Sequence, residues 1–185
     1  YKTTDGGETW EHQLYIDERT GVADMIIDPS NPDKLLVAMW SHRREPWFFT
    51  SGGDGSGLYV THNGGNDWKQ YTEDDGLPAG ELGRMGLTIS PANPDVIYAL
   101  IESSSTGLYH STNGGVSWSM IQADQVGNRP FYYADIASTA ETQTSAELAV
   151  SDTTFNASPL CKTNLAPPSI ICNVLPLKIG AVLTR

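Results

Sequence analysis

The sequence predicts an all-β protein built from repeated four-stranded antiparallel sheets. An eight-residue stretch occurs as TTDGGETW, THNGGNDW and STNGGVSW, and its final Trp stands at positions 10, 68 and 118 of the 185 residues. DMIIDPSNPDKLLVAMW at 24–40 matches GLTISPANPDVIYALIE at 86–102, and GLYVTHNGG at 57–65 matches GLYHSTNGG at 107–115. Repeat spacings of 58 and 50 residues, with Gly/Pro turns and β-branched runs, favour repeated sheets over helical repeats.

Each repeat predicts four short strands in a fixed order. The first ends at a Pro-x-Asn-Pro-Asp turn, whose prolines fix φ and donate no backbone hydrogen bond. The second is almost continuously apolar, which predicts burial on both faces. The third leads through Asn-Gly-Gly to the fourth, as in a tight hairpin. The predicted strands are 25–28, 35–40, 58–61 and 68–71, then 87–90, 96–102, 108–111 and 118–121.

Four-stranded antiparallel sheets at this period are typical of β-propeller blades. Residues 1–137 are therefore predicted to form about two to three blades, too few to close a ring of four to eight. The chain is expected to be a fragment, an incomplete propeller whose remaining blades belong to a parent protein. Residues 138–185 break the pattern, since they hold no Trp and a single Gly and are rich in Ser, Thr and Ala. They are interpreted as an atypical segment, either non-native or a linker.

The eight-residue stretch carries its own structural chemistry. Its Asp or Asn can accept hydrogen bonds from the turn's backbone, its Gly-Gly pair supplies positive φ, and its Trp can pack under the neighbouring strand. Three copies in different sheets cannot converge on one site, so we predict structural roles for them. The residues are Asp5, Gly7, Trp10, Asn63, Gly65, Trp68, Asn113, Gly115 and Trp118.

The pattern Ser/Thr-x-Asp/Asn-Gly-Gly-x-x-Trp resembles the Asp-box, or bacterial neuraminidase repeat (BNR). With the Asn-Pro-Asp turns, it makes residues 1–137 similar to the bacterial propeller proteins grouped with the sortilin ectodomain and with BNR-repeat glycoside hydrolases. The resemblance implies a bacterial protein that is secreted or periplasmic, and a ligand site at the axial channel. Asp-boxes occur in sialidases, receptors and assembly factors alike, so the resemblance specifies the fold and leaves the function open.

Two aspartates precede predicted first strands at matching positions. Asp24 lies five residues before the turn proline, and Asp135 lies at the corresponding point of FYYADI. The resemblance implies that these strands line the channel, where Asp24, Asp135 and Glu81 would face one another. A glycosidase needs two carboxyl groups about 5–9.5 Å apart. The alternative is that the aspartates bind backbone groups or pair with Arg19 and Arg129, because ion-pair networks are commoner than catalytic dyads.

Three arginines, Arg19, Arg84 and Arg129, recur ahead of successive first strands. A sialidase would use such a set to grip a carboxylate, so Arg84 and Arg129 are candidate ligand-binding residues. The same arginines could brace adjacent sheets, and no sialidase-specific motif accompanies them.

An insertion at 41–57 holds Trp47, Phe48 and Phe49. It is predicted to be a loop that presents aromatic faces to a sugar or a peptide, with a flexible Gly-rich part at 52–57. The alternative is that the rings cover an exposed sheet edge.

Composition excludes several other functions. The net charge is −11 and no basic cluster exceeds Arg43 and Arg44, so no nucleic-acid partner is expected. No apolar run is long enough to span a bilayer, and no membrane span is predicted. The four histidines are scattered, and Cys161 and Cys172 match no common zinc spacing, so neither a metal nor a cofactor is predicted. The two cysteines could form a disulfide or stay free thiols.

The leading functional prediction is a non-catalytic binding or interaction propeller whose ligand is a carbohydrate, a peptide or a protein. The competing prediction is a glycoside hydrolase acting on polysaccharide, with Asp24 and Asp135 as its acids. A third interpretation is an assembly factor for a membrane complex.

Overall fold

The structure, a computed structural model, describes residues 1–122, 136–138, 146–148, 161–162 and 171–172. Within these residues the fold is all-β, as predicted, with three sheets and one short 3₁₀ helix. The first two sheets are antiparallel throughout and occupy the part of the chain where the repeats were found.

The first sheet has the strand order β1-β2-β4-β5, and β3 pairs with the far end of β2. Asp28 ends β1 at the Pro-x-Asn-Pro turn, where its Oδ1 accepts hydrogen bonds from Ser30 N (2.8 Å) and Ser30 Oγ (2.6 Å). This carboxylate therefore fixes the turn into β2. The strands are β1 (Thr20–Asp28), β2 (Asn31–Glu45), β3 (Phe48–Ser51), β4 (Gly57–Thr61) and β5 (Lys69–Gln70).

The second sheet repeats this order without the extra strand. Its strands pair sequentially and are β6 (Met85–Ile89), β7 (Ile97–Ile101), β8 (Gly107–Ser111) and β9 (Ser119–Gln122). All eight predicted strands are thus present, with bounds shifted by a few residues.

A 3₁₀ helix, Glu73–Asp75, lies between the two sheets. Asp75 O accepts a hydrogen bond of 2.8 Å from Trp118 N, which ties this connection to the second sheet. Gly76 follows with a φ of +93°, and a Cβ there would collide with the Trp118 carbonyl. Only glycine fits this position.

The main core lies between the facing sides of the two sheets. Strand β7 is buried along its whole length, and β2 is buried on both faces over residues 36–39, in the middle of its predicted apolar run. The cluster comprises Leu36, Ala38, Leu58, Val60, Tyr71, Leu77, Leu82, Met85, Leu87, Ile97, Ala99, Ile101, Tyr109 and Trp118. A smaller cluster lies on the opposite side of the first sheet, where Leu14, Ile16 and Trp68 pack against Val37, Met39 and Tyr59.

A third sheet has very short strands in the order β10-β11-β13-β12. Cys161 lies opposite Cys172 in the β12–β13 pair. Ser138 of β10 contacts β6, since its N donates to Thr88 Oγ1 (3.1 Å). The strands are β10 (Ala137–Ser138), β11 (Ala146–Leu148), β12 (Cys161–Lys162) and β13 (Ile171–Cys172).

The insertion at 41–57 differs from its prediction. Its first part is not a loop but a β-hairpin, because β2 continues to Glu45 and pairs with β3 from Phe48. Phe48 and Phe49 are therefore strand residues, and Trp47 stands in the two-residue turn. The β-branched and aromatic residues at 47–50 favour extended backbone, which sequence reasoning did not use.

Candidate functional site

The eight-residue boxes are turns whose polar side chains hydrogen-bond to other groups of the same turn. In the second box, Thr61 Oγ1 accepts from Gly65 N (3.0 Å) and donates to Asn63 Oδ1 (2.9 Å). Asn63 Oδ1 also accepts from Asp67 N (3.0 Å), and Asn63 Nδ2 donates to Asp67 Oδ2 (2.8 Å). Trp68 Nε1 donates to Gly65 O (3.0 Å). Asn63 thus caps the turn through both polar atoms of its side chain.

The same scheme holds the other two boxes. In the first, Thr3 Oγ1 accepts from Gly7 N (2.8 Å) and Asp5 Oδ1 accepts from Thr9 N (2.9 Å). In the third, the corresponding bonds are 2.8 and 3.0 Å. Hydrogen bonds from the hydroxyl and backbone of Thr9 hold the pKa of the Asp5 carboxyl well below its ordinary value. Both oxygens of the Asp5 carboxylate therefore accept hydrogen bonds within their own turn.

The three box tryptophans differ in burial. Trp118 is 5 % exposed, Trp68 is half-buried, and Trp10 is 59 % exposed. Trp118 and Trp68 therefore pack against neighbouring strands, whereas Trp10 lies largely in solvent. The reason is tertiary: Trp118 lies against Tyr71 of the preceding repeat, with ring centroids 6.2 Å apart, whereas residues 1–16 form no complete sheet in the described structure.

Asp24 connects the two sheets through backbone groups. Its Oδ2 accepts a hydrogen bond from Leu87 N (2.7 Å) on β6, and its Oδ1 accepts from Met25 N (2.8 Å). A bulge between Val22 and Asp24 shifts the register of β1 there, which directs the carboxylate towards the second sheet. The geometry agrees with the alternative that Asp24 binds backbone. Its predicted partner Asp135, and Arg129, lie outside the described residues.

An open cleft lies at the end of the first sheet that carries the β2–β3 hairpin. It has a volume of about 660 Å³, and Glu81 on the connection between the sheets lies on its far side. A second cleft of about 530 Å³ shares Gly53, Asp54 and Glu81 with it, so the two are continuous around these residues. Charged and hydrogen-bonding side chains of the larger cleft include Asp17, Glu18, Arg19, His42, Arg43, Thr50, Asp54 and Glu81.

The β2–β3 hairpin brings the ring of Phe48 to this cleft and exposes Trp47 at the adjoining turn. Phe48 lines the cleft and is 43 % exposed, and Trp47 at the hairpin turn is 80 % exposed. Behind them, Trp40 stacks on His42 with centroids 4.1 Å apart and lies 6.4 Å from the ring of Phe49. Phe49 is thus half-buried on the side of the hairpin that faces Trp40, whereas Trp47 and Phe48 are exposed to solvent.

A polar chain anchors the base of the hairpin to the second sheet. Trp40 Nε1 donates to Ser51 Oγ (3.0 Å), which donates to Glu102 Oε2 (2.6 Å). The same oxygen accepts from Arg84 N (2.8 Å), and the Arg84 guanidinium lies 5.9 Å from the Trp40 ring centroid. Arg84 therefore braces the two sheets next to the cleft. Sequence reasoning missed Ser51 and Glu102, since the β2–β3 hairpin and the packing of the two sheets are both needed to bring them together.

Among the residues that the structure describes, no group of three or more His, Cys, Asp or Glu side chains is placed to hold a metal ion. No helix in the described part of the chain has the length and apolar content needed to cross a membrane. Against known proteins, no protein-family model and no curated protein sequence matches this chain. Its function is therefore inferred from its own geometry.

Proposed function

We propose that the chain is part of an Asp-box β-propeller that binds a neutral carbohydrate without cleaving it. Two antiparallel sheets with one strand order, packed face to face through β1 and β6, support the assignment of the sheets as blades. The observation that carries the function is the exposed pair Trp47 and Phe48 beside the 660 Å³ cleft.

The chemistry of the cleft fits a polyol. Aromatic faces pack against the apolar faces of sugar rings, and a few convergent polar groups fix orientation. The cleft offers acceptors at Asp54 and Glu81 and donors at Arg19 and Arg43, which suits hydroxyls that both donate and accept. An anionic ligand is disfavoured by the net charge of −11. A peptide is the other ligand class that such a surface serves.

Binding without turnover is favoured over hydrolysis by the position of Asp24. A catalytic acid must present its carboxyl to the scissile bond, whereas both Asp24 oxygens accept backbone hydrogen bonds. Its conversion to a proton donor would break the contact between β1 and β6. Among the residues that the structure describes, Glu81 is the other candidate acid of the sequence prediction, and it lines both clefts.

The test is a screen of the full chain against neutral polysaccharides by affinity electrophoresis and calorimetry. Trp47→Ala and Phe48→Ala are each expected to weaken binding about tenfold or more, because exposed aromatic anchors dominate such contacts. Val116→Ala is the matched control, since Val116 is also a solvent-exposed apolar residue but lies in the third box and lines neither cleft. It should leave affinity unchanged.

Other results would refute parts of the proposal. Release of reducing ends that Glu81→Gln or Asp24→Asn abolishes would make the chain a glycoside hydrolase. If the chain bound members of a peptide library and retained no polysaccharide, its ligand would be a peptide and not a carbohydrate. Affinity that survives Trp47→Ala and Phe48→Ala would place the binding surface elsewhere.

A further inference from the structure

The repeat relates the two sheets residue by residue. Positions in the first two strands correspond at an offset of 62, and positions in the last two at an offset of 50. The side of the second sheet that packs on the first carries Leu87, Ile89, Ile97, Ala99, Ile101, Tyr109 and Trp118. The corresponding residues of the first sheet, here named the outer face, are Met25, Ile27, Leu35, Val37, Met39, Tyr59 and Trp68.

The two equivalent faces differ in what covers them. Leu87 is 4 % exposed under the first sheet, whereas its counterpart Met25 is 51 % exposed. Ile27 is likewise exposed, and a groove of about 360 Å³ runs along Met25, Leu35 and Val37. The outer face is thus apolar at the positions where the second sheet uses apolar residues to dock. Apolar patches of this kind mark interaction sites.

Residues 1–16 already occupy part of this face in the manner of a repeat. The bridge between Lys2 and Glu11 corresponds, at an offset of 58, to the pairing of Val60 with Lys69 in the first sheet. Lys2 Nζ donates to the carbonyl of Gly64 (2.9 Å), so this hairpin is attached to the second box.

A second correspondence confirms the placement of that hairpin. Gln13 follows Trp10 by three residues and lies against Gly65, and Tyr71 follows Trp68 by three residues and lies against Gly115. The hairpin at 2–11 therefore sits on the first sheet as the β4–β5 hairpin sits on the second.

We propose that the outer face is the docking surface for a further four-stranded sheet of the same repeat, joined upstream of Tyr1. The hairpin at 2–11 would be its third and fourth strands, and an added repeat unit would supply the other strands. Its docking side would present aliphatic residues like those that cover Leu87 and its neighbours, namely Ile26, Leu36, Ala38, Leu58 and Val60. The inference depends on the repeat and not on the carbohydrate ligand.

A second copy of the chain fits the outer face less well. The surface that meets the equivalent face, around Leu36 and Leu58, is already buried between the two sheets of each chain. Each copy also carries a net charge of −11, which opposes association.

The test adds the missing strands to the full chain. A copy of residues 20–58 is fused before Tyr1. Tyr1 then follows the Leu58 of the added copy, just as Tyr59 follows Leu58 in the original repeat. The added copy carries Trp40→Phe and Trp47→Phe, so that it contributes no tryptophan of its own. Quenching of tryptophan fluorescence by acrylamide should then show Trp10 partly protected, because Trp10 gains the half-buried surroundings of Trp68. A Leu36→Asp change in the added copy alone should abolish that protection.

Met25→Gln then reports on docking in both backgrounds. In the unfused chain it should shift the Tm by about 1 °C or less, and in the fusion by about 3 °C or more, because the side chain becomes buried. Val116→Gln, at an exposed site away from the outer face, should act equally in both.

If Met25→Gln shifted the Tm of a folded fusion by no more than it shifts the Tm of the unfused chain, the proposal would be overturned. Sedimentation of the unfused chain as a dimer that Met25→Gln dissociates would also overturn it, by making a second copy the occupant. If the first fusion does not fold, residues 82–108 fused before Tyr1 give the same register from the second repeat, with Tyr1 in place of Tyr109. Failure of both to protect Trp10 would count against the proposal.

Discussion

The first and third boxes have the same hydrogen bonds but different surroundings. In each, a Thr or Ser hydroxyl and an Asp or Asn oxygen accept backbone N–H groups at 2.8 to 3.0 Å. Yet Trp10 is 59 % exposed and Trp118 is 5 % exposed. The turn is thus encoded by eight residues alone, whereas the burial of its Trp depends on a neighbouring sheet.

The polar end of the ring shows the same contrast. Trp10 Nε1 donates to Gly7 O (3.1 Å), while Trp118 Nε1 has no hydrogen-bond partner among the described residues. Tyr71, whose ring lies against Trp118, is itself buried. Its burial and the nearby Asp75 charge disfavour the phenolate and raise the pKa of the Tyr71 hydroxyl to about 12. In the third box the Trp ring is buried against the neighbouring sheet, although its Nε1 lacks the hydrogen bond to the turn carbonyl that the first box makes.

The largest expected difference between the boxes is in their tryptophans. Trp118→Ala should lower the free energy of unfolding by about 3–5 kcal/mol, because it leaves a cavity between the two sheets. Trp10→Ala should cost less than about 1 kcal/mol, as is usual for exposed side chains. Urea unfolding of both variants measures this. Equal losses would mean that residues 1–16 are as well packed as the third box.

An intermediate effect is expected at the ion pair beside the third box. Asp28 is 5 % exposed and pairs with Lys34 at 3.1 Å, and a Cβ on Gly114 would lie 2.9 Å from Lys34 Nζ. Burial alone would raise the pKa of Asp28, but hydrogen bonds from Ser30 and Lys34 outweigh it and lower the pKa. A lowered pKa stabilises the fold above the unfolded pKa of about 3.9, and the stabilisation is lost as pH falls through the folded value.

Asp28→Asn should therefore reduce stability at pH 7 by about 1–3 kcal/mol and flatten its decline below about pH 4. Asp33→Asn is the matched control, since Asp33 is exposed on the same turn. Unfolding midpoints between pH 2.5 and 7 measure both. If Asp28→Asn left the decline of stability with falling pH as steep as in the wild type, other carboxyl groups would be responsible for the acid sensitivity.

The smallest expected difference is in the caps. Asn113→Ala removes the acceptor for Ser117 N and should cost about 1 kcal/mol of global stability. Asp5→Ala removes the equivalent acceptor but should leave the global midpoint unchanged, with faster amide exchange confined to residues 1–11. Hydrogen exchange read by NMR separates these outcomes. Global destabilisation by Asp5→Ala would contradict the contrast.

Much of the fold followed from the sequence because its determinants are local. Turn chemistry at the Pro-x-Asn-Pro and Asn-Gly-Gly stretches, with the apolar runs, predicted eight of the nine strands of the first two sheets. The site was less predictable. The bond between Asp24 and Leu87 spans 63 residues, and the bond between Ser51 and Glu102 spans 51. Such partners depend on how two sheets dock, which residue spacing does not encode.

The β2–β3 hairpin also explains why the repeats have unequal length. Met39 pairs with Gly57 in the first sheet, and Ile101 pairs with Gly107 in the second, so the first connection is twelve residues longer. The strands on either side nevertheless keep the same register. Chain length and sequence can therefore change at this point without moving a core residue, which makes the hairpin a natural place to exchange ligand preference by grafting.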